Sequence, residues 1–329
     1  MDTTPLTPTP GLLWGFTFRA GAGARVVNES AAAALAQPHD WAWMHFALAD
    51  HRARRHLTVF APASAAARAL LLSNETRLQI HLAQDHAYGI LPDIEKDFEG
   101  VAMGAGRLAF FLDGRHLITV RHRPLRAVDE VRAAVEAGLA LATPADAFVR
   151  IVERFVEVVE DRLVRLTQQL DHIEDFVLSD RDDIDPSGLG PVRRELSRYH
   201  REFLGLRGAL ARAMHGKRHH AECLVAPFLP ALLQGAEDFD RDAAALADRA
   251  RLLYEEMDTR IAAITNRSLR ALTILSTLLL PPTFIAGAFG MNLIDIPWAG
   301  NPGGFWWALG LCTVVVGACY LVLRRLRIL

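Results

Sequence analysis

Donor side chains suited to zinc gather at one place in this 329-residue sequence: His215, His219, His220 and Cys223, within HGKRHHAEC. Imidazole and thiolate are the ligands zinc prefers, and His219 and Cys223 stand one helical turn apart. Gly216 and the neighbouring Lys217 and Arg218 fit instead an exposed connector between helices. A second cluster, Glu237, Asp238, Asp240 and Asp242, has the oxygen donors a regulatory cation between subunits would need. Acidic residues near the start of a helix also complement its dipole, which is the plainer reading. Asp182, Asp183 and Asp185 read as turn residues. Cys312 and Cys319 share one face of an apolar segment without histidine or carboxylate company, and so read as packing. No Ser/His/Asp arrangement, Walker loop or GxGxxG stands in a suitable context, so neither hydrolysis nor nucleotide-driven pumping is supported. The expectation is a protein that is not an enzyme and carries no covalent cofactor.

The elements that position these residues divide sharply by charge. Hydrophobic residues make up 51% and charged residues 22% of the whole, yet from Ala271 to Leu323 the only charged side chain is Asp295. Ala271–Gly290 and Phe305–Leu323 are uncharged runs of about 20 residues, the length a helix needs to cross a bilayer. The loop between them, 291–304, contains no Lys or Arg, whereas Arg267 and Arg270 precede the first run and Arg324, Arg325 and Arg327 follow the second. The positive-inside rule then places both termini in the cytoplasm and the loop outside. Pro281-Pro282 in the first span predicts a kink, either a simple one or a bend that shapes a pore. The net charge of −2 argues against a nucleic-acid partner, and three cysteines without a CxxC pair suit a reducing compartment.

Before the spans, residues 1–13 read as a disordered, Pro-rich lead without a signal peptide, and 14–144 as an α/β domain. The expected strands are Trp14–Phe18, Trp41–Leu48, Leu57–Phe60, Gly106–Leu112 and His116–Arg121, with helical patterns at Ala63–Leu72 and Asn74–Ala83. Asp113-Gly114 predicts a hairpin between the last two strands. Residues 145–265 read as a helical hairpin followed by a stalk. Val152, Val156, Val159, Leu163, Leu166, Leu170, Ile173 and Val177 form one heptad seam, and Val192, Leu196, Tyr199, Phe203, Leu206 and Leu210 another, across a turn in 179–190. From Ala231 to Leu280 there is no proline, so one helix is expected to run into the first span. It is either a mechanical coupler or a passive stalk. Residues 266–329 complete the molecule as the transmembrane part.

The run PPTFIAGAFGMN (Pro281–Asn292), ahead of a short loop and a second span, resembles the CorA family of divalent cation transporters. The loop Ile296–Trp307 (IPWAGNPGGFWW) and the stretch Leu117–Val131 (LITVRHRPLRAVDEV) are more similar to its zinc-associated ZntB branch. The resemblance implies an α+β membrane protein: a cytoplasmic α/β/α funnel domain, a long helical stalk and two C-terminal transmembrane helices. It implies a homopentamer in the lipid bilayer of the inner membrane, with divalent metal ions, zinc foremost, as cargo. Gly290, Met291 and Asn292 would form the outer mouth, and Asn266, Leu269, Leu272, Ser276, Leu280 and Thr283 would line the pore. Asp295 would add an outer ring of charge, or stand as a solvated loop residue. The alternatives are a magnesium or broad divalent channel of the same fold, and a membrane-anchored sensor or scaffold without transport.

Overall fold

Every residue from Trp41 to Phe46 is buried, a pattern that only a strand covered on both faces produces. In the computed structural model, which describes residues 11–19, 23–26, 40–59, 62–96, 105–178, 188–217, 220, 222–291 and 303–326, this strand lies inside a seven-stranded sheet. The strands are β1 (Leu12–Arg19), β2 (Gly23–Val26), β3 (Trp41–Ala47), β4 (Gln79–Leu82), β5 (His86–Ile94), β6 (Ala105–Asp113) and β7 (His116–Arg121), in the order β2-β1-β3-β7-β6-β5-β4. Only the β3–β7 pair is parallel. The Asp113-Gly114 hairpin forms as its turn residues demand, with Asp113 Oδ1 accepting from the backbone N–H of Arg115 and His116 at 2.7 Å each.

Alternation along β3 sends its side chains to two different cores. Met44 and Phe46 pack with Phe111, Ile118 and Val120 against α1 (His51–Thr58) and α2 (Ala65–Leu71). Trp41, Trp43 and His45 face the other side, where Phe18 stacks on Trp41 at 3.8 Å and Trp14 on His45 at 4.6 Å. On that side the chain also supplies α3 (Arg126–Glu136) and α4 (Pro144–Leu178), with Phe148 of α4 at 4.8 Å from Phe110 of β6. Trp43 Nε1 donates to Thr119 Oγ1 at 2.9 Å, so this buried indole has its polar atom satisfied. α3 starts at Leu125, which has no capping side chain. The buried Asp93 of β5 does that work, accepting from Ala127 N at 2.8 Å, Val128 N at 3.1 Å and its neighbour Ile94 N at 2.6 Å.

Two expected elements are replaced. Leu57–Phe60 is not a strand: Leu57 and Thr58 end α1, because Asp50 caps that helix and Ala53 and Leu57, one turn apart, both reach the core. Phe60 lies outside the described residues. Asn74–Ala83 is not a helix: it holds β4, where Leu78, just before the strand, and Ile80 within it are buried two residues apart and His81 is exposed. The tight return from Ala83 to His86 fixes its antiparallel pairing with β5. β2, β5 and α3 had no counterpart among the expected elements.

The helical seams are present as read. α4 and α5 (Leu189–Lys217) bury or half-bury each residue of the two seams, and α6 (Leu229–Phe289) likewise buries or half-buries Leu246, Ala250, Leu253 and Met257 at near-heptad spacing. Arg162 of α4 makes a two-pronged bond to Glu195 of α5, at 2.7 and 2.9 Å, and Tyr199 donates to the same carboxylate at 3.0 Å. The expected turn at 179–190 falls mostly outside the described residues. By its contacts the chain divides into two units, Met1–Asp175 with Ser187–Arg251, and Phe176–Pro186 with Leu252–Leu329. Within the second unit, Arg260 of α6 donates to the carbonyl of Val177 in the last turn of α4, where a cation opposes the negative end of the helix. The second unit ends in α7 (Gly304–Arg325).

Candidate functional site

The distal half of α6 and all of α7 are long and apolar enough to cross a membrane. Their burial pattern separates two faces. On α6, Ile274, Thr277, Leu278, Pro281, Pro282, Ile285, Ala288 and Phe289 are half-buried. On α7 the covered stripe is Gly304, Ala308, Cys312, Val315, Val316, Cys319 and the buried Leu323. The two stripes meet where Cys312 Sγ lies 3.9 Å from the carbonyl oxygen of Pro282. Small residues at this spacing let helix backbones approach closely in lipid, which accounts for both membrane cysteines as packing residues.

Asn266, Leu269, Leu272, Ser276, Leu280 and Thr283 are all exposed. At about 100° per residue they lie on roughly the opposite side of α6 from the stripe that meets α7. Leu280 is 74% exposed, so nothing among the described residues covers this face. The same stripe takes in Thr273 and, further out, Gly287, Gly290 and Met291, none of which except the last two was marked by its motif. The hydroxyl of Thr283 donates to Leu279 O at 2.7 Å and that of Thr273 to Leu269 O at 2.8 Å. With their protons used inside the helix, both oxygens present only lone pairs outward. They are acceptors, suited to the hydrogens of a cation's water shell.

The helix ends in a tightened turn: Gly290 N donates to Ala286 O at 2.9 Å and Met291 N to Ala288 O at 3.4 Å. A Cβ on Gly290 would stand 3.3 Å from Ala286 O and 3.4 Å from Gly287 O, so a side chain would press on the carbonyls that close the helix. Gly287 differs, since a Cβ there would meet nothing within 4 Å. Its lack of a side chain is not required by packing inside the protomer. Asn292 and Asp295 lie outside the described residues.

The donor clusters are dispersed. His215 is exposed and its Nδ1 lies 2.7 Å from Ala211 O, while His219 is outside the described residues. His220 lines a cleft beside Arg77 and Arg212. Cys223 is buried with Sγ 3.7 Å from His86 O, and burial pushes its thiol above the ordinary range, away from the thiolate that binds metal. Asp238 is held by Gln234 at 3.3 Å and by Arg241 at 3.5 Å, and Glu237 is half-buried. Asp240 turns inward to Arg207 at 2.8 Å and His200 at 3.2 Å. Among the described residues, no group of three or more His, Cys, Asp or Glu is placed to hold a metal ion.

The family model described as "CorA-like Mg2+ transporter protein" matches residues 38–325. The chain belongs to this family. Its members are transporters, not enzymes. Among curated relatives, the chain is similar to the divalent cation transporter CmaX of Pseudomonas aeruginosa, 26% identical over 96% of each chain. It is also similar to the zinc transport protein ZntB of Pectobacterium atrosepticum, 25% identical over 65% of each. Of solved structures, full-length CmaX superposes with a TM-score of 0.79 at 26% identity, covering 98% of this chain and 99% of that one. The CorA-like fold, a soluble α/β part with a long helix and two C-terminal apolar helices, is therefore that of this protein, which is membrane-localised.

Proposed function

We propose that this CorA-family chain conducts divalent cations, zinc foremost, through a homopentameric pore in the inner membrane, with both termini in the cytoplasm. The observation that carries this reading is the uncovered stripe of α6, which faces away from α7 and runs from Asn266 to Met291. Side by side in five copies, such stripes would enclose a path dotted with acceptors and free of fixed charge. Rings of Asn292 amide oxygens and Thr283 hydroxyls would hydrogen-bond to the water shell of the ion rather than replace it, which suits cations that shed water slowly. The carbonyl end of α6 adds partial negative charge at the mouth from each copy, and Asp295 would add a full one. Leu269, Leu272 and Leu280 would form apolar constrictions that close by dewetting. Gly287 would keep the path wide below the mouth. Neither span carries an ionisable carboxylate, amine or imidazole, so a proton relay inside the membrane has no carrier among their side chains.

A magnesium or broadly divalent cargo is the second reading. It is favoured by the family's description and by the full-length similarity to CmaX, whereas the ZntB relative matches over a shorter part of the chain. An acceptor ring does not by its chemistry prefer either ion. The test is reconstitution in liposomes with trapped zinc- and magnesium-sensitive dyes, beside Asn292→Ala. Flux lost in the variant supports the pore, and the ratio of the two ions decides the cargo. Absence of both fluxes from vesicles shown to hold intact oligomers would replace transport with the anchored-sensor reading.

A further inference from the structure

Several arginines of the sheet-and-helix unit are neutralised by carboxylates: Arg107 by Glu202, Arg154 by Glu130 and Glu157, Arg162 by Glu195, Arg207 by Asp240. Two others, Arg77 and Arg212, line one cleft. Between the edge strand β4 and the last turns of α5 lies a cavity of about 390 Å³, walled by Arg77, Gln79, His81, Arg212, Gly216 and His220 among others. Among the described residues no acidic side chain lines it. Among the described residues neither Arg77 nor Arg212 has a carboxylate partner.

The cleft is a built feature of the fold. α5 approaches β4 closely because residue 205 is glycine; a Cβ there would stand 3.0 Å from Leu78 Cδ1. That approach lets Arg212 Nη2 donate to Leu78 O at 3.1 Å, which fixes the guanidinium and leaves its other N–H groups to the cavity. His81 stacks on Tyr88 at 5.0 Å, and its Nε2 is 3.1 Å from Gln79 Oε1. Burial, and then the charge of Arg212, hold its imidazole below the ordinary range. Glu222, two residues beyond His220, is turned to Gln84 at 3.4 Å rather than into the cleft. The carbonyl end of α5 near Gly216 opposes an anion with about half a charge, which two full guanidinium charges exceed. A planar fork of donors with no carboxylate to meet it matches phosphate oxygens.

We propose that this cleft is a binding site for a phosphate-bearing anion, held by Arg77 and Arg212 with His81 and His220 at its rim. Its volume is within the range of small-ligand sites and would admit a nucleotide polyphosphate as well as a free phosphate. The site is separate from the stripe of α6 and stands whether or not the cargo reading holds. The test is titration calorimetry on the full chain in detergent, with inorganic phosphate, pyrophosphate and ATP in turn, at about 0.15 M chloride so that diffuse attraction is screened. The expected result is saturable binding of one ligand per protomer, weakened at least about tenfold by R77Q or R212Q and unchanged by R123Q, whose native partner is Glu95. Arg77 is exposed and holds no other element in place, so R77Q remains readable should R212Q misfold. ATP binding well above that of both inorganic ligands assigns the site to nucleotides, and comparable binding of all three assigns it to free phosphate. Failure of every ligand to saturate, equal weakening by R123Q, or undiminished binding to R77Q with R212Q would each overturn the proposal.

Discussion

Trp43 and Phe46 in the sheet have no exposed surface, whereas Leu280 and Phe284 in the distal half of α6 are 74% and 78% exposed. Both pairs are apolar, so the difference is in what covers them. In the sheet-and-helix unit the chain supplies its own cover: two helices on one face, further helices on the other, and hydrogen-bond partners for polar groups, backbone N–H for Asp93 and a side chain for Thr119. In the second unit only one stripe of α6 finds a partner in α7. An apolar helix left this bare within one chain needs cover from outside it, which a lipid bilayer supplies. The first region is thus stable by its own packing, and the second is defined by its surroundings.

Variants sharpen this contrast, beginning with the largest expected effect. Trp43→Ala should destabilise the detergent-solubilised chain by about 3–5 kcal/mol in chemical denaturation, through the cavity and the lost donor to Thr119. A loss below about 1 kcal/mol would mean that the sheet core is less self-sufficient than its burial suggests. Asp93→Ala should cost about 2–3 kcal/mol by stripping the acceptor from three buried N–H groups at the start of α3.

Asp93 also gives the contrast a pH dependence. Burial raises its carboxyl from 3.8 to about 6, against the opposing pull of its backbone donors. The folded state therefore holds this proton where the unfolded chain has lost it. The stabilisation is fully present below pH ~4, falls as pH rises through 6, and totals about 3 kcal/mol. Asp93→Asn should flatten that slope in denaturation midpoints measured from pH 4 to 7; an unchanged slope would assign the titration elsewhere.

The smaller effects belong to the second unit. On the proposed pore reading, Thr283→Val keeps the shape but removes an outward-facing acceptor, and should lower ion flux several-fold while leaving denaturation unchanged, a loss of about 1 kcal/mol. Leu280→Ala should shift the stability of the chain by less than about 0.5 kcal/mol, since none of the described residues covers it. A core-sized loss there would break the comparison.

The legible parts of this fold were those governed by local pattern. The heptad seams on α4 and α5, the Asp113-Gly114 hairpin and the uncharged spans follow from spacing and turn chemistry that act within a few residues. Leu57–Phe60 and Asn74–Ala83 were misassigned because their apolar spacing fits either period. A cap at Asp50 and pairing with β5 settled them, and neither is visible in a short window. The stripe of α6 was readable as a set of positions, but its isolation from α7 was not. Gly287 and Thr273 join it only once the covered face is known.

By itself the sequence determined that this chain has an uncharged, two-span end with a Gly-Met-Asn terminus and a charged α/β and helical remainder. Hydropathy and charge act residue by residue and need no partner to be read. Only the tertiary structure decided that Asp93 caps a helix 33 residues away in the chain, that Asp240 is turned inward, and that Arg77 and Arg212 share a cleft without a carboxylate. Each of these depends on distant backbone brought within hydrogen-bonding reach, which the order of residues does not disclose.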